Sequence, residues 1–198
     1  MLKKKSLGQH FLHNAHYLSL IADAVGIERG ETVVEIGPGE GTLTGTLLAR
    51  GAHVVAIEKD TRLIPVLNKK FGGQEFECIE ADALDYDISK YKKGGYKVVG
   101  NIPYYITGAL IKKFLTADPQ PSRLVFLIQK EVAERIARSK KESVLSLSVK
   151  AYGAPKYIET VPRGAFAPAP KVDSAILLVE DISRGNFKHA AHEKKFFE

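Results

Sequence analysis

Four consecutive residues, Asn101-Ile102-Pro103-Tyr104, set an amide, a rigid turn and an aromatic ring side by side. They follow the apolar run Val98-Val99-Gly100, so they sit where a buried strand opens into a loop. Such a group can clamp a flat, polar ring that carries an amine, and a nucleobase fits that description. The amine nitrogen of adenine is a poor nucleophile, because its lone pair is delocalised into the ring. Two acceptors on its N–H bonds return electron density to nitrogen and hold it toward an electrophile. The Asn101 side-chain oxygen is one candidate acceptor, and a backbone carbonyl near Ile102, freed by the Pro103 turn, is another. Tyr104 can stack on the base. No strong base is needed before attack, since the nitrogen becomes acidic only once the new bond begins to form. Rate would come from in-line positioning and from electrostatics arranged in advance.

A second motif lies upstream. Glu35-Ile36-Gly37-Pro38-Gly39-Glu40-Gly41 is a glycine-rich turn after an apolar run. Glycines let backbone approach a ligand and take positive φ, and the helix that follows offers unpaired N–H groups. The spacing is G-x-G-x-G rather than the G-x-G-x-x-G of dinucleotide sites. Glu58 closes the second strand, where an acid can accept hydrogen bonds from both hydroxyls of a ribose. Asp82 follows the third strand and could accept the amine of a cofactor adenine; an ordinary turn aspartate is the alternative. Lys59 and Ala83 adjoin these acids and are assigned to the same site, with Gly37 and Gly39. Three acids at neighbouring strand ends, Glu35, Glu58 and Asp82, suit a cationic ligand that carries an adenosine. S-adenosylmethionine has both parts, whereas three carboxylates would repel the pyrophosphate of a nicotinamide dinucleotide.

Phe166 opens the rigid loop Phe166-Ala167-Pro168-Ala169-Pro170-Lys171-Val172-Asp173-Ser174 and could form the second wall around a base. A hydrophobic plug under the proline loop is the competing reading. Flipping a base from a stack costs a few kcal/mol, and aromatic stacking returns about 1–3 kcal/mol per base, so Tyr104 and Phe166 together could offset most of it. At the N-terminus, Lys3, Lys4 and Lys5 suggest a phosphate-contacting arm, and Gln9 to Leu12 a lid over the cofactor.

These residues need a scaffold. Strand-like runs at 32–36, 53–57, 75–79, 96–100 and 124–128 alternate with helix-like stretches at 41–50, 61–71 (capped by Asp60), 105–115, 131–138 and 144–152. That alternation predicts a parallel sheet with helices on both faces. Runs at 157–161 and 174–179, joined by the proline loop, predict a terminal antiparallel pair. After Asp181 the pattern changes: Gly185-Asn186 is a break and a helix is expected from His189.

Composition is that of an ordinary globular chain: 198 residues, 44% hydrophobic and 26% charged. A net charge of +6 agrees with a polyanionic partner such as nucleic acid. No apolar stretch approaches bilayer length, and no apolar signal core follows the basic N-terminus. The single cysteine, Cys78, forms neither an internal disulfide nor a thiolate metal cluster, so no metal site and a reducing cytoplasm are expected.

Gly8-Gln9-His10-Phe11-Leu12, the glycine turn, Glu58, Asp82, Asn101-Ile102-Pro103-Tyr104 and the Phe166–Ser174 loop occur in this order. From about Ser6 to Val179 the chain closely resembles the ribosomal RNA adenine-N6 dimethyltransferases of the KsgA type. The resemblance implies a Rossmann-like S-adenosylmethionine-dependent methyltransferase fold, with a seven-stranded, mostly parallel sheet. It implies two methyl transfers to N6 of each of two adjacent adenines in a hairpin of small-subunit (16S) rRNA, in immature subunits, by a monomer. By resemblance His10 and Leu12 touch the cofactor, Gly37 lies under its methionine part, Glu58 holds the ribose and Asp82 reaches the adenine. Asn101, beside Pro103, lies between cofactor and target, and Tyr104 and Phe166 sandwich the target base. Residues 1–181 would form the catalytic unit, and 182–198 the start of a helical RNA-binding domain that the family continues. The alternatives are the sister large-subunit (23S) rRNA type that confers antibiotic resistance, and a non-catalytic RNA-binding ribosome-assembly factor. Val161 to Phe166 and Asp173-Ser174-Ala175 look more like the small-subunit type.

Overall fold

Valine, isoleucine and leucine dominate the runs that become the central strands, and most of their side chains are buried on both faces. That is the signature of a parallel sheet covered by helices on each side. The structure, a computed structural model, describes residues 10–188 together with Glu193 and Lys195. In chain order the elements are β1 (Phe11–Leu12), α1 (Ala15–Val25), β2 (Thr32–Ile36), α2 (Thr42–Ala49), β3 (His53–Glu58), α3 (Ile64–Phe71), β4 (Phe76–Glu80) and β5 (Lys97–Asn101). They continue with α4 (Thr107–Leu115), β6 (Leu124–Gln129), α5 (Lys130–Ala137), α6 (Val144–Tyr152), β7 (Ala154–Val161), β8 (Phe166–Ala167) and β9 (Ser174–Glu180).

Seven strands form one sheet in the order β4-β3-β2-β5-β6-β9-β7, and β1 pairs with β8 apart from it. The pairs among β2 to β6 are parallel. β9 runs antiparallel to both β6 and β7, wedged between them. The predicted Rossmann-like sheet with an antiparallel terminal pair is therefore present. Succession reverses at β2, with β3 on one side and β5 on the other. Such a reversal opens a crevice beyond the carboxyl ends of the strands, where ligands bind. The glycine turn after β2 and the Asn101 motif after β5 flank it.

One apolar cluster, including Phe114, Phe126 and Tyr152, fills the sheet face under α4 to α6. A second, including Ile21, Leu47 and Val125, fills the face under α1 and α2. Helix α1 lies in a stretch to which sequence reading assigned no element. Its signals are nonetheless regular: Asn14 accepts the His16 N–H (3.0 Å), Leu18, Ile21, Ala22 and Val25 recur on one buried stripe, and Gly26 closes it at φ 61°.

Other boundaries move for identifiable reasons. Asp60 does not cap a helix over 61–71. Its carboxylate binds the Arg62 guanidinium (Nε at 2.7 Å), a turn intervenes, and α3 starts at Ile64. A short 3-10 turn, Tyr104–Ile106, precedes α4. β7 begins at Ala154, earlier than expected, because a bulge between Tyr157 and Glu159 extends its pairing to Glu180.

After β9, Ile182 and Phe187 pack on the α4–α6 cluster, and the Phe187 ring lies 5.0 Å from that of Tyr152. Arg184 donates to the Thr116 carbonyl (2.6 Å) and pairs with Glu193 (3.1 Å). The basic arm at Lys3 to Lys5, Gln9, and most of the helix expected from His189 lie outside the described residues. Among the described residues no helix is long and apolar enough to cross a membrane, and no group of His, Cys, Asp and Glu side chains could hold a metal ion.

Candidate active site

The glycine turn takes its shape from left-handed residues. Gly37 and Gly39 have φ of 64° and 59°, values that L side chains rarely adopt. The Gly37 N–H donates to the Ile57 carbonyl (3.0 Å), which ties the turn to β3. A Cβ on Gly37 would meet no protein atom within 4 Å, whereas one on Gly39 would come 2.7 Å from the Phe11 ring. The turn is thus open on one side and roofed by Phe11 on the other.

At the end of β3, Glu58 is 6% exposed. One carboxylate oxygen accepts the Asp60 N–H (2.7 Å) and the other the Gly39 N–H (3.3 Å). The backbone holds this side chain at the cavity wall. Burial pushes its pKa up, the bonds from Asp60 and Gly39 pull it down, and the nearby Asp60 charge pushes it up again. Asp82 accepts the Leu84 N–H (2.9 Å), as a turn aspartate does, and also lines the cavity. Its other oxygen binds the Lys59 ammonium (2.6 Å), the first cause of a lowered carboxyl pKa.

Glu35 stands elsewhere. It is 1% exposed, does not line the cavity, and accepts the Thr44 hydroxyl (2.6 Å) beneath the glycine turn. Burial lifts its pKa to about 7 against the Thr44 bond, with the Glu58 charge adding to the rise. Of the three acids expected to face a cationic ligand, the structure brings only Glu58 and Asp82 to the cavity. Leu12 also turns inward. Its side chain, 4% exposed, belongs to the α1–α2 core, and its carbonyl accepts the Thr42 hydroxyl (3.0 Å).

On the opposite wall the Asn101 side-chain N–H donates to the His10 carbonyl (2.6 Å). A carbonyl can only accept, so this contact fixes the amide and leaves its oxygen available as an acceptor. Among the described residues no group donates to the Ile102 carbonyl. The Tyr104 hydroxyl shares a hydrogen bond with Ser174 (2.9 Å), which anchors its ring. Phe166 is 6% exposed; it packs in the core and also contributes to the cavity wall. Leu12 pairs with Phe166 across β1 and β8, and the His10 ring donates to the Pro168 carbonyl (2.8 Å). The segment expected as a lid is therefore strapped to the proline loop.

The cavity so enclosed measures about 350 Å³. Of the candidates, His10, Gly37, Gly39, Glu58, Lys59, Asp82, Ala83, Asn101, Pro103, Tyr104 and Phe166 line it. Sequence reading did not assign Ile36, Ile57, Ala81, Tyr105 and Ile106, which supply apolar surface together with Phe11 of the lid segment and the Ile102 side chain. Most of these flank a residue that was chosen, which is the signal that could have found them. The result is an apolar slot with hydrogen-bond acceptors at both ends.

A profile of the ribosomal RNA adenine dimethylase family matches residues 1–194. The chain is 40% identical to "Ribosomal RNA small subunit methyltransferase A" of Dehalococcoides mccartyi over 98% of its own length and 68% of that protein's. It is 44% identical to the protein of the same name from Deinococcus radiodurans, over 89% of this chain and 61% of that one. Among solved structures, the 23S rRNA methyltransferase ErmE superposes with a TM-score of 0.82 at 32% identity, covering 93% of this chain and 75% of that one. A dimethyladenosine transferase from Plasmodium falciparum gives 0.81 at 32% identity, over 93% and 67%. This chain belongs to the ribosomal RNA adenine dimethylase family.

Proposed function

We propose that the chain transfers methyl groups from S-adenosylmethionine to N6 of adenine in ribosomal RNA, two per base. The observation that carries this reading is the pair of unspent acceptors, Asn101 Oδ1 and the Ile102 carbonyl, on the wall of a cavity that also holds Glu58.

The residues present suit the cofactor. A cavity of this volume falls in the range of small-molecule sites, and Gly37 leaves open space where a ligand can approach backbone. Glu58 would accept the ribose hydroxyls, and Asp82 with Lys59 and Ala83 would meet the adenine, packed against Ile36 and Ile57. Gly37, Gly39 and His10 would border the methionine part. When bound, S-adenosylmethionine supplies an electrophilic methyl group on a sulfonium centre. The chain's own task is to present the acceptor nitrogen. Asn101 and Ile102 accept its two N–H bonds, Tyr104 and Phe166 hold the ring between them, and Pro103, which has no N–H, cannot compete as a donor for these acceptors. The proton is lost from nitrogen only after the new bond begins to form, so no strong base has to be held at Asn101 before attack.

For substrate, the names of the curated relatives support small-subunit rRNA, read here as two adjacent adenines in a 3′-terminal hairpin of an immature subunit in the cytoplasm. Residues 182–198 are read as the opening of a helical RNA-binding unit, and the protein as a monomer. The likeness to ErmE favours a second reading, large-subunit rRNA. Incubation with undermethylated small subunits and with large-subunit rRNA, followed by mass spectrometry of dimethyladenosine, separates the two. Asn101→Ala should abolish transfer while calorimetry still detects cofactor binding. Retained turnover would overturn the reading.

A further inference from the structure

A second concavity, of about 410 Å³, adjoins the cavity described above. The Lys130 N–H, at the start of α5, donates to the Asp173 carbonyl (3.1 Å), and the next residue, Ser174, holds the Tyr104 hydroxyl. The Arg163 N–H donates to the Asp173 carboxylate (2.9 Å), and the turn from Arg163 leads directly into Phe166. The two rings that flank the first cavity are thus tethered to the floor of the second, with Asp173 as the shared post.

The groove has a different chemistry from the slot. Lys130, Arg163 and Lys171 line it with cations, Glu131, Glu134 and Asp173 with carboxylates, and Val172, 45% exposed, with apolar surface. Among the described residues Arg163 and Lys171 have no ion-pair partner, while Glu131 binds Arg135 (2.7 Å) and Glu134 lies 3.9 Å from Lys130. A trap for bare phosphate would not include three carboxylates. A nucleotide matches all three kinds of surface: cations meet its phosphate, acceptors meet a base amine, and apolar atoms meet the ring face.

We infer that this groove seats the nucleotide covalently joined to the target adenosine, with Arg163 and Lys171 on its phosphate and Glu131 or Glu134 on the amine of its base. The inference rests on the adenine-methylation reading, which puts the target ring between Tyr104 and Phe166. It adds a specificity element: the enzyme selects a dinucleotide step, and the neighbour sets the register of the target.

The test compares an rRNA hairpin carrying the target adenine with hairpins abasic at the 3′ or the 5′ neighbour. They are assayed with the parent protein and with Arg163→Gln/Lys171→Gln. One abasic hairpin should raise the parent's KM about tenfold, the worth of one lost base contact, with kcat within about twofold. The double variant should bind intact RNA more weakly, lower the salt slope of binding by about 0.7, the share of one phosphate, and lose most of the discrimination against the abasic strand. Cofactor affinity should stay that of the parent and reports folding. If Arg163→Gln disturbs it, Lys171→Gln alone carries the test, with a slope change in the same direction and no larger than about 0.7. Equal KM on all three hairpins, or an unchanged salt slope, overturns the inference. If the parent methylates no hairpin and no undermethylated subunit, the reading of the reaction falls first, and the groove with it.

Discussion

Replacing Glu35 by glutamine should change how stability depends on pH, and the burial of this one carboxyl sets the size of the effect. Its pKa is raised from 4.5 to about 7 in the folded chain. Below pH 4.5 the group carries a proton in both folded and unfolded chains, and its contribution to stability is fully present. As pH rises past 4.5 the unfolded chain ionises while the folded one keeps its proton, so stability falls. The loss is complete above about 7 and amounts to roughly 3 kcal/mol. Glutamine is neutral throughout, and its oxygen can still accept the Thr44 hydroxyl. Its buried N–H₂ adds a cost of about 1–3 kcal/mol that does not vary with pH. Urea unfolding of parent and Glu35→Gln between pH 4.5 and 8 therefore isolates the carboxyl. The gap between the two curves should shift in favour of the variant by roughly 3 kcal/mol, or some 6–12 °C in thermal midpoint for a chain of this size. Parallel curves would refute the reasoning, because they would mean that Glu35 ionises in the fold as easily as in water.

Glu58→Ala should weaken S-adenosylmethionine binding at least tenfold, since one lost charge-assisted hydrogen bond is worth about 1.5–3 kcal/mol; unchanged affinity by calorimetry would move the ribose elsewhere. Gly39→Ala would drive a methyl group into the Phe11 ring at a left-handed residue. It should cost roughly 1–3 kcal/mol in denaturant unfolding, together with cofactor affinity, and a variant as stable as the parent would argue against the roof formed by Phe11.

The strands were legible because each is an apolar run bounded by turn residues, and the glycine turn and Asn101 motif were legible because they sit at strand ends. Helix α1 was equally well signalled by Asn14, the Leu18-Ile21-Ala22-Val25 stripe and Gly26, so its omission was a failure of reading rather than of information. Glu35 differs in kind. An acid at the end of a strand buried on both sides can face the crevice or the core, and only the position of Thr44 on α2 decides it. The strap between β1 and β8 could not be read locally, since a two-residue strand has no period and its partner lies near the far end of the chain. Asp60 drew a cap assignment because it suits a helix start, and its carboxylate does accept the Arg62 N–H (3.3 Å) as well as the guanidinium, but the bond closes a turn and the helix begins only at Ile64.

The wedged position of β9 has a consequence for synthesis. β7 leaves the ribosome before β9 yet has no other sheet neighbour, and the apolar edge of β6 stays uncovered in the meantime. At about 5–20 residues per second, the stretch through Glu180 takes roughly one to four seconds to emerge after β7. During that interval a nascent chain exposes a bare hydrophobic edge of the kind that attracts other strands, and Tyr104 still awaits its serine. The window in which the newborn protein exposes that edge is thus the same one in which the cavity wall at Tyr104 has no anchor.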